Sequence, residues 1–361
     1  MDSLPPVLLD FISAFRPLMR AEVFDSFTYL LCGLLIGEAK HGTVRASVFA
    51  PAAYQPQRLS DLFCRHKLSR QALMAPLTEQ MLTILYPSGL PARLFWLADS
   101  TLTEKPFVRR VASVDLFHRA KRIVGRAKHL QGQCYVFAAH LYQTAQRQWA
   151  SALVGALLYV KGRSIPQLVG SLAQQLRLPA LVRQVWVVDR GIASRPLVQS
   201  LDRLGQYILG RVRSNQVFYF VPRRQPKRGR PRSYGQKCRV DKLVKRTPSR
   251  LQHQTTTLKI RGKERTVRVY DAEMLGRGVW PDRLCPVRLI VVVVAGLRLK
   301  PWYLLTTDLA LAPVEAVQAY SGRQQIEVNF DEVKELGLGH YQGRSGEGVR
   351  FTNLSTRHFC P

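Results

Sequence analysis

Two short apolar runs limit what this chain can fold into. "RLFWLADST" (93–101) and "VRQVWVVDRG" (182–191) are rich in aromatic and β-branched residues, and each runs into an aspartate, Asp99 or Asp189. Runs of this length and texture read as buried strands. Between them "QCYVFAAHLY" and "GALLYVKG" read as further strands, and "SIPQLVGSLAQQL" fits a helix with Pro166 near its start. After the second run, "RPLVQSLDRLGQYILGRV" reads as a helix followed by a strand. Strands alternating with helices predict a mixed α/β domain.

The flanks differ in texture. Residues 1 to about 90 carry apolar residues at helical spacing in "VLLDFISAFRPLM", "FTYLLCGLLIG" and "ALMAPLTEQMLTILY". Ser69 is placed to cap the last of these helices. "LSDLFCRHKLSRQALMAPLTEQML" reads as two short bundle helices or as a helix-turn-helix. Residues 222–250 are loaded with Lys, Arg, Pro and Gly against one acid, Asp241, and build no core of their own. "TTTLKIRGKERTVRVYDAEM" then reads as a hairpin turning at Gly262 and Lys263, followed by strands in "VRLIVVVVAGLRL" and "PWYLLTTD". A last helix is expected from Pro313 to about Leu336, stopped by Gly337 and Gly339.

Charge narrows the partners. The chain has 54 Lys and Arg against 24 Asp and Glu, a net +30 that a folded protein tolerates best beside a polyanion. Nucleic acid is the first candidate. The longest apolar runs are too short to span a bilayer, and the first residues lack the pattern of a secretory signal. The six cysteines are scattered with no zinc spacing, and the eight histidines do not cluster. This composition points to reduced thiols, a cytoplasmic location and no membrane partner.

An acid directly after a buried strand needs a reason, because Asp is a poor strand residue and a buried unpaired carboxylate is costly. One reason is a cap or turn. The other is metal binding at the carboxyl edge of a sheet. Asp308 after "WYLLTTD" and Asp271 after "VRVY" compete with Asp99 and Asp189 for that role. The last helix decides the ranking. Tyr320, Glu327 and Lys334 are spaced by seven residues and share a face, with Arg323 four before Glu327. Ile326, Phe330 and Val333 form the neighbouring stripe that docks on a sheet. A solvated charged face with one ion pair explains any one of these residues but not the full set.

The spacing Tyr320-x2-Arg323-x3-Glu327-x6-Lys334 matches the Tyr-Arg-Glu-Lys signature of a group of bacterial DDE transposases, which the chain resembles. "WLADST" and "VVDRG" resemble that group's first and second aspartate strands. The resemblance spans residues 93 to 345. It implies an RNase H-like α/β core with a β-rich insertion between the second Asp and the Glu, preceded here by the helical N-terminal region. The implied division is 1–90 helical and a candidate for DNA-end binding, 91–221 first part of the core, 222–300 basic linker and insertion, 301–345 end of the core, and 346–361 an atypical tail. It implies a metal-binding catalytic triad of Asp99, Asp189 and Glu327, with Tyr320, Arg323 and Lys334 holding transposon-end DNA. The implied partners are terminal inverted repeats, target DNA and a second copy of the chain on that DNA, near the nucleoid.

The chemistry of the residues agrees. Phosphodiester cleavage needs an activated water and a stabilised leaving oxygen, which two divalent ions supply. Mg²⁺ or Mn²⁺ held by carboxylates fits. Within the basic segment, "KRGRPR" carries Lys227, Arg228, Arg230 and Arg232. It reads as an AT-hook, with Arg228 and Arg230 reaching the minor-groove floor, or as an unfolded phosphate-binding tether. The ending "GVRFTNLSTRHFCP" lacks helical periodicity and suggests truncation or a frameshift near residue 350. Two alternatives to an active transposase are therefore a truncated remnant that binds ends without completing transposition, and a simple RNase H-like nuclease.

Overall fold

The structure is a computed structural model describing residues 6–36, 70–105, 113–118, 128–176, 178, 181–222, 233–246, 248–260, 263–276, 286–295 and 300–335. The first apolar run lies in β1 (Arg93–Glu104) and the second in β5 (Arg183–Val188), paired in parallel from Arg93↔Arg183 to Ala98↔Val188. β3 (His129–Gln143) runs antiparallel to β1 on its other side. The outer edge of β3 is shared by β2 (Val114–His118) and β4 (Trp149–Leu158), both antiparallel to it. β6 (Tyr207–Arg211) lies parallel to β5.

The strands of 222–300 do not form a sheet of their own. β12 (Trp302–Thr306) pairs antiparallel with β6, and β11 (Pro286–Val294), β10 (Lys263–Leu275), β7 (Val217–Phe220) and β8 (Lys237–Arg239) continue outward, with β9 (Gln252–Ile260) on β10. The result is one 12-stranded mixed sheet. The expected β9–β10 hairpin is present; residues 261 and 262 lie outside the described set, and Lys263 opens β10 opposite Ile260 rather than turning the chain. Part of the basic segment is also folded: Cys238, Val240 and Leu243 are buried in the main core.

Side-chain alternation along the strands divides the core. Leu94, Trp96 and Ala98, with Trp186 and Val188, face α3 (Arg70–Leu85), α4 (Ile165–Gln175) and α5 (Arg195–Arg203). Phe95 and Leu97, with Val185 and Val187, face α7 (Pro313–Ser321) and α8 (Gln325–Glu335). A one-turn helix, α6 (Leu243–Arg246), lies between these pairs in sequence. The two buried tryptophans keep their N–H groups satisfied: Trp96 donates to Gln184 Oε1 at 3.2 Å and Trp186 to Gln206 Oε1 at 2.7 Å. Ser164 caps α4 in a reciprocal box with Gln167, and Pro166 sits in its first turn.

The N-terminal helices α1 (Pro6–Ser13) and α2 (Ala21–Ile36) build a separate small cluster in which Phe15, Phe27 and Leu30 pack on Leu73 and Leu77 of α3. The opposite side of α3 gives Met74 and Leu82 to the main core. Gly155 makes this contact possible, because a Cβ there would stand 2.3 Å from Met74 Cε. Residues 59–69 of the candidate helix-turn-helix segment, Ser69 among them, lie outside the described residues. Among the described residues no helix is long and apolar enough to cross a membrane, and Cys32, Cys134 and Cys238 are free thiols.

One buried group makes the fold acid-sensitive. His140 is fully buried, with Nδ1 3.0 Å from the Phe95 carbonyl and Nε2 2.7 Å from the Tyr86 hydroxyl. Nδ1 therefore carries the proton and Nε2 accepts from Tyr86. Burial pushes its pKa down to about 4. Above about 6.5 both folded and unfolded chains hold this ring neutral; below it only the unfolded chain takes a proton, so stability falls. The loss at pH 5 should be about 2 kcal/mol. Urea midpoints at pH 7 and pH 5 should differ more for the wild type than for His140→Gln. Equal differences would show that His140 does not carry the acid sensitivity.

Candidate active site

Continuing the β1–β5 register by one residue places Asp99 beside Asp189. β5 stops at Val188, but β1 runs on to Glu104 and stays paired with β3. Asp99 thus lies inside a strand and does not close it, as its position after "FWLA" suggested. The carboxylate is accommodated there because the parallel neighbour has ended and the sheet opens on that side. By alternation Asp99 follows Phe95 and Leu97, and Asp189 follows Val185 and Val187, so both acids emerge on the α7–α8 face.

The expected single helix from Pro313 is broken. α7 ends at Ser321, a 3₁₀ turn covers Gly322–Gln324, and α8 begins at Gln325. A Cβ on Gly322 would come within 3.0 Å of Leu141 and the Trp149 ring, so the glycine lets this turn press against the sheet. With three residues per 3₁₀ turn, Arg323 stays on the side of Tyr320. Below it, Ile326, Phe330 and Val333 are buried as expected, with the Phe330 ring 5.2 Å from that of Phe137. Asn329 donates to the Ser151 carbonyl at 3.3 Å and ties α8 to β4.

Arg323 links two of the acids, and Tyr320, three residues before it, reaches the third. Arg323 donates from Nη1 to Asp99 Oδ2 at 2.8 Å and from Nη2 to Glu327 Oε1 at 3.2 Å. The Tyr320 hydroxyl donates to Asp189 Oδ1 at 3.4 Å, and the Ser100 N–H to Asp99 Oδ1 at 2.7 Å. Burial raises the pKa of Asp99, and the charges of Asp189 and Glu327 add to this; the Ser100 N–H and Arg323 pull the other way. Burial also works against the Arg323 charge, but Asp99, Tyr320, Asp189 and Glu327 outweigh it and its pKa is raised. Tyr320 is pushed up to about 12, mainly by burial, so its phenol keeps its proton and donates.

Among the described residues no three His, Cys, Asp or Glu side chains are gathered closely enough to hold a metal ion. The Arg323 guanidinium stands between Asp99 and Glu327 instead. The donor set still fits a hard cation: three carboxylates whose mutual repulsion, seen in the raised pKa of Asp99, a positive ion would relieve.

Other expected site residues lie elsewhere. Lys334 does not join the acids; two helical turns beyond Glu327, it pairs with Asp331 at 3.5 Å. Asp308 is fully buried between Arg93 and Arg183, at the start of β1 and β5, away from the Asp99 edge. Asp271 is buried beside Arg288 at 3.8 Å. Lys227, Arg228, Arg230 and Arg232 lie outside the described residues, as does the tail from 336.

The sequence reading missed a folded basic ledge. Gly210 of β6 pairs with Val188, so Arg211, still paired with Leu304, lies at the Asp189 edge and the turn after it leaves the sheet there. That turn accepts hydrogen bonds from the β8 end, Val240 N–H to Gln216 O and Asp241 N–H to Ser214 O, both 3.0 Å. Lys237, Arg239, Lys242, Lys245, Arg246 and Arg250 are exposed on the attached segment. Their density was visible in the sequence, but not that this half of the basic stretch is anchored.

The sequence profile of the "Transposase DDE domain" family matches residues 163–356. The matched segment contains Asp189, Tyr320, Arg323, Glu327 and Lys334, and Asp99 precedes it. No curated protein matches the chain. With more than half of its length matched, the chain belongs to the DDE-domain transposase family.

Proposed function

We propose that this chain cuts DNA at the ends of a bacterial insertion sequence and joins the freed ends to target DNA, as a member of the Tyr-Arg-Glu-Lys group. The observation that carries this reading is the meeting of Asp99, Asp189 and Glu327 with Arg323 and Tyr320 at one edge of the sheet. We read β4–β3–β1–β5–β6 as an RNase H-like core. Three antiparallel strands flanked by two parallel ones, with acids at the carboxyl edge, support that. Asp99, Asp189 and Glu327 would hold two divalent ions, Mg²⁺ or Mn²⁺, which supply an activated water or 3′-hydroxyl and stabilise the leaving oxygen.

The protein's own groups position the substrate. Arg323 offers a planar fork matched to a phosphate, and Lys334 a point charge farther along α8. Tyr320, held neutral by burial, donates a hydrogen bond; with water or a 3′-hydroxyl as nucleophile, no covalent protein–DNA intermediate is needed. Two ends must be held at once, which calls for two copies of the chain on DNA. The family match runs through residue 356 and lends no support to the truncated-remnant alternative.

The test is a labelled duplex carrying the element's own terminus, incubated with Mg²⁺, with Mn²⁺ or with chelator. Metal-dependent nicking at the end is expected; nicking indifferent to sequence would point to a simple nuclease. The basic ledge gives a second expectation. Binding should weaken linearly in log–log terms as salt rises. Replacing Lys242, Lys245 and Arg246 by Gln should flatten that slope by about one for each phosphate no longer neutralised. An unchanged slope removes the ledge from the DNA path.

A further inference from the structure

Arg323 is already in contact with the carboxylates that the metal would need. Its two terminal nitrogens lie 2.8 Å from Asp99 and 3.2 Å from Glu327. A guanidinium has five donors and no acceptor, so it can neutralise carboxylates but cannot share a site with another cation. A divalent ion taking Asp99 Oδ2 or Glu327 Oε1 would meet positive charge at contact distance. Arg323 also has somewhere to go. Its own side chain is only 15% exposed, but its partner Glu327, in the first turn of α8, is 60% exposed, so the contact opens to solvent on the Glu327 side. Asp189, by contrast, is held by a neutral phenol, which needs no displacement by charge.

We propose that Arg323 is an exchangeable cation: without a divalent ion it clamps Asp99 to Glu327, and with one it leaves them for a DNA phosphate. The proposal rests on reading those acids as metal ligands. Its consequence is linkage. A phosphate that draws Arg323 away frees the carboxylates, and a metal that occupies the carboxylates frees Arg323, so each ligand tightens the other by the same factor. In the absence of DNA the protein is held in a form with low metal affinity. The same side chain thus couples substrate capture to assembly of the metal site, which a residue serving only as a phosphate clamp would not do.

The test uses Mn²⁺ alone, followed by the EPR signal of the free ion, on the full chain without DNA. Arg323→Gln should bind Mn²⁺ roughly tenfold tighter than wild type. Adding a duplex with the element's terminus should tighten Mn²⁺ binding more in wild type than in the variant. Arg323→Lys, which keeps the charge but not the two-pronged contact, should fall between and serves if the Gln variant does not fold. Equal or weaker Mn²⁺ binding in both variants, with native circular dichroism, overturns the exchange. A control separates this from failure of the site itself. If no Mn²⁺ binding in wild type responds to Glu327→Gln, the carboxylates are not the metal ligands and the proposal falls with that reading.

Discussion

Glu327→Gln should leave binding to end DNA intact while lowering end cleavage on the order of 10³-fold. The side chain is 60% exposed and makes one ion pair, with Arg323, so its loss costs the fold little. The isosteric amide keeps the shape of α8 and the burial of Ile326, Phe330 and Val333 beneath it. On the proposed reading it removes one anionic ligand from a set of three, which a hard cation tolerates poorly. The measurement pairs a gel-shift titration with single-turnover cleavage of the labelled terminus. Cleavage at the wild-type rate would remove Glu327 from the catalytic set. Binding lost in parallel with cleavage would assign it a role in holding DNA.

Asp308→Asn should do the reverse and lower stability by about 3–5 kcal/mol without a specific catalytic defect. Asp308 is fully buried; its Oδ2 accepts from Arg93 Nε at 3.0 Å and its Oδ1 from Arg183 Nη1 at 2.8 Å and from the Ala310 N–H at 3.0 Å. Arg93 keeps Glu315, at 2.8 Å, but Arg183 keeps no acid in this cluster. The amide would set an N–H against one of the two guanidinium groups and leave positive charge uncompensated beside the sheet. Urea unfolding reads the effect. A loss under about 1 kcal/mol would show that the cluster is solvated enough to dispense with its acid.

These two acids show where the sequence could be read and where it could not. Asp308, like Asp99, follows an apolar run, and texture alone left it in competition with Asp99. Its partners lie 215 and 125 residues away, so nothing local announced an ion-pair role. The helix spacing picked out Tyr320, Arg323 and Glu327, which the structure brings beside Asp99 and Asp189, because spacing along the chain is a local property. The parallel register that seats Asp99 beside Asp189 is tertiary information, as is the continuation of β1 past Asp99 on its β3 side. The break at Gly322 was equally hidden: the residue is a glycine because of Leu141 and Trp149, which belong to β3 and β4. Lys334 shows the limit of periodicity. Its seven-residue spacing was right for the face, yet two turns of rise carry it away from the carboxylates to Asp331. Of the strands in 222–300, β9, β10 and β11 were foreseen and β8 was not, nor was their joining to the core through β12 and β6.

That joining fixes the order in which a newly made chain can assemble the candidate site. β6 is synthesised by residue 211, but its free edge waits for β12, whose Thr306 pairs with Leu209. Contacts this distant in sequence form late and slowly. Asp99 and Asp189 emerge early, Glu327 only after the strand that closes the sheet, and the helix bearing it docks on a surface β12 has just helped complete. An incomplete chain on the ribosome therefore has two acids and no third. On the proposed reading of those acids, DNA cleavage waits until synthesis has passed Glu327.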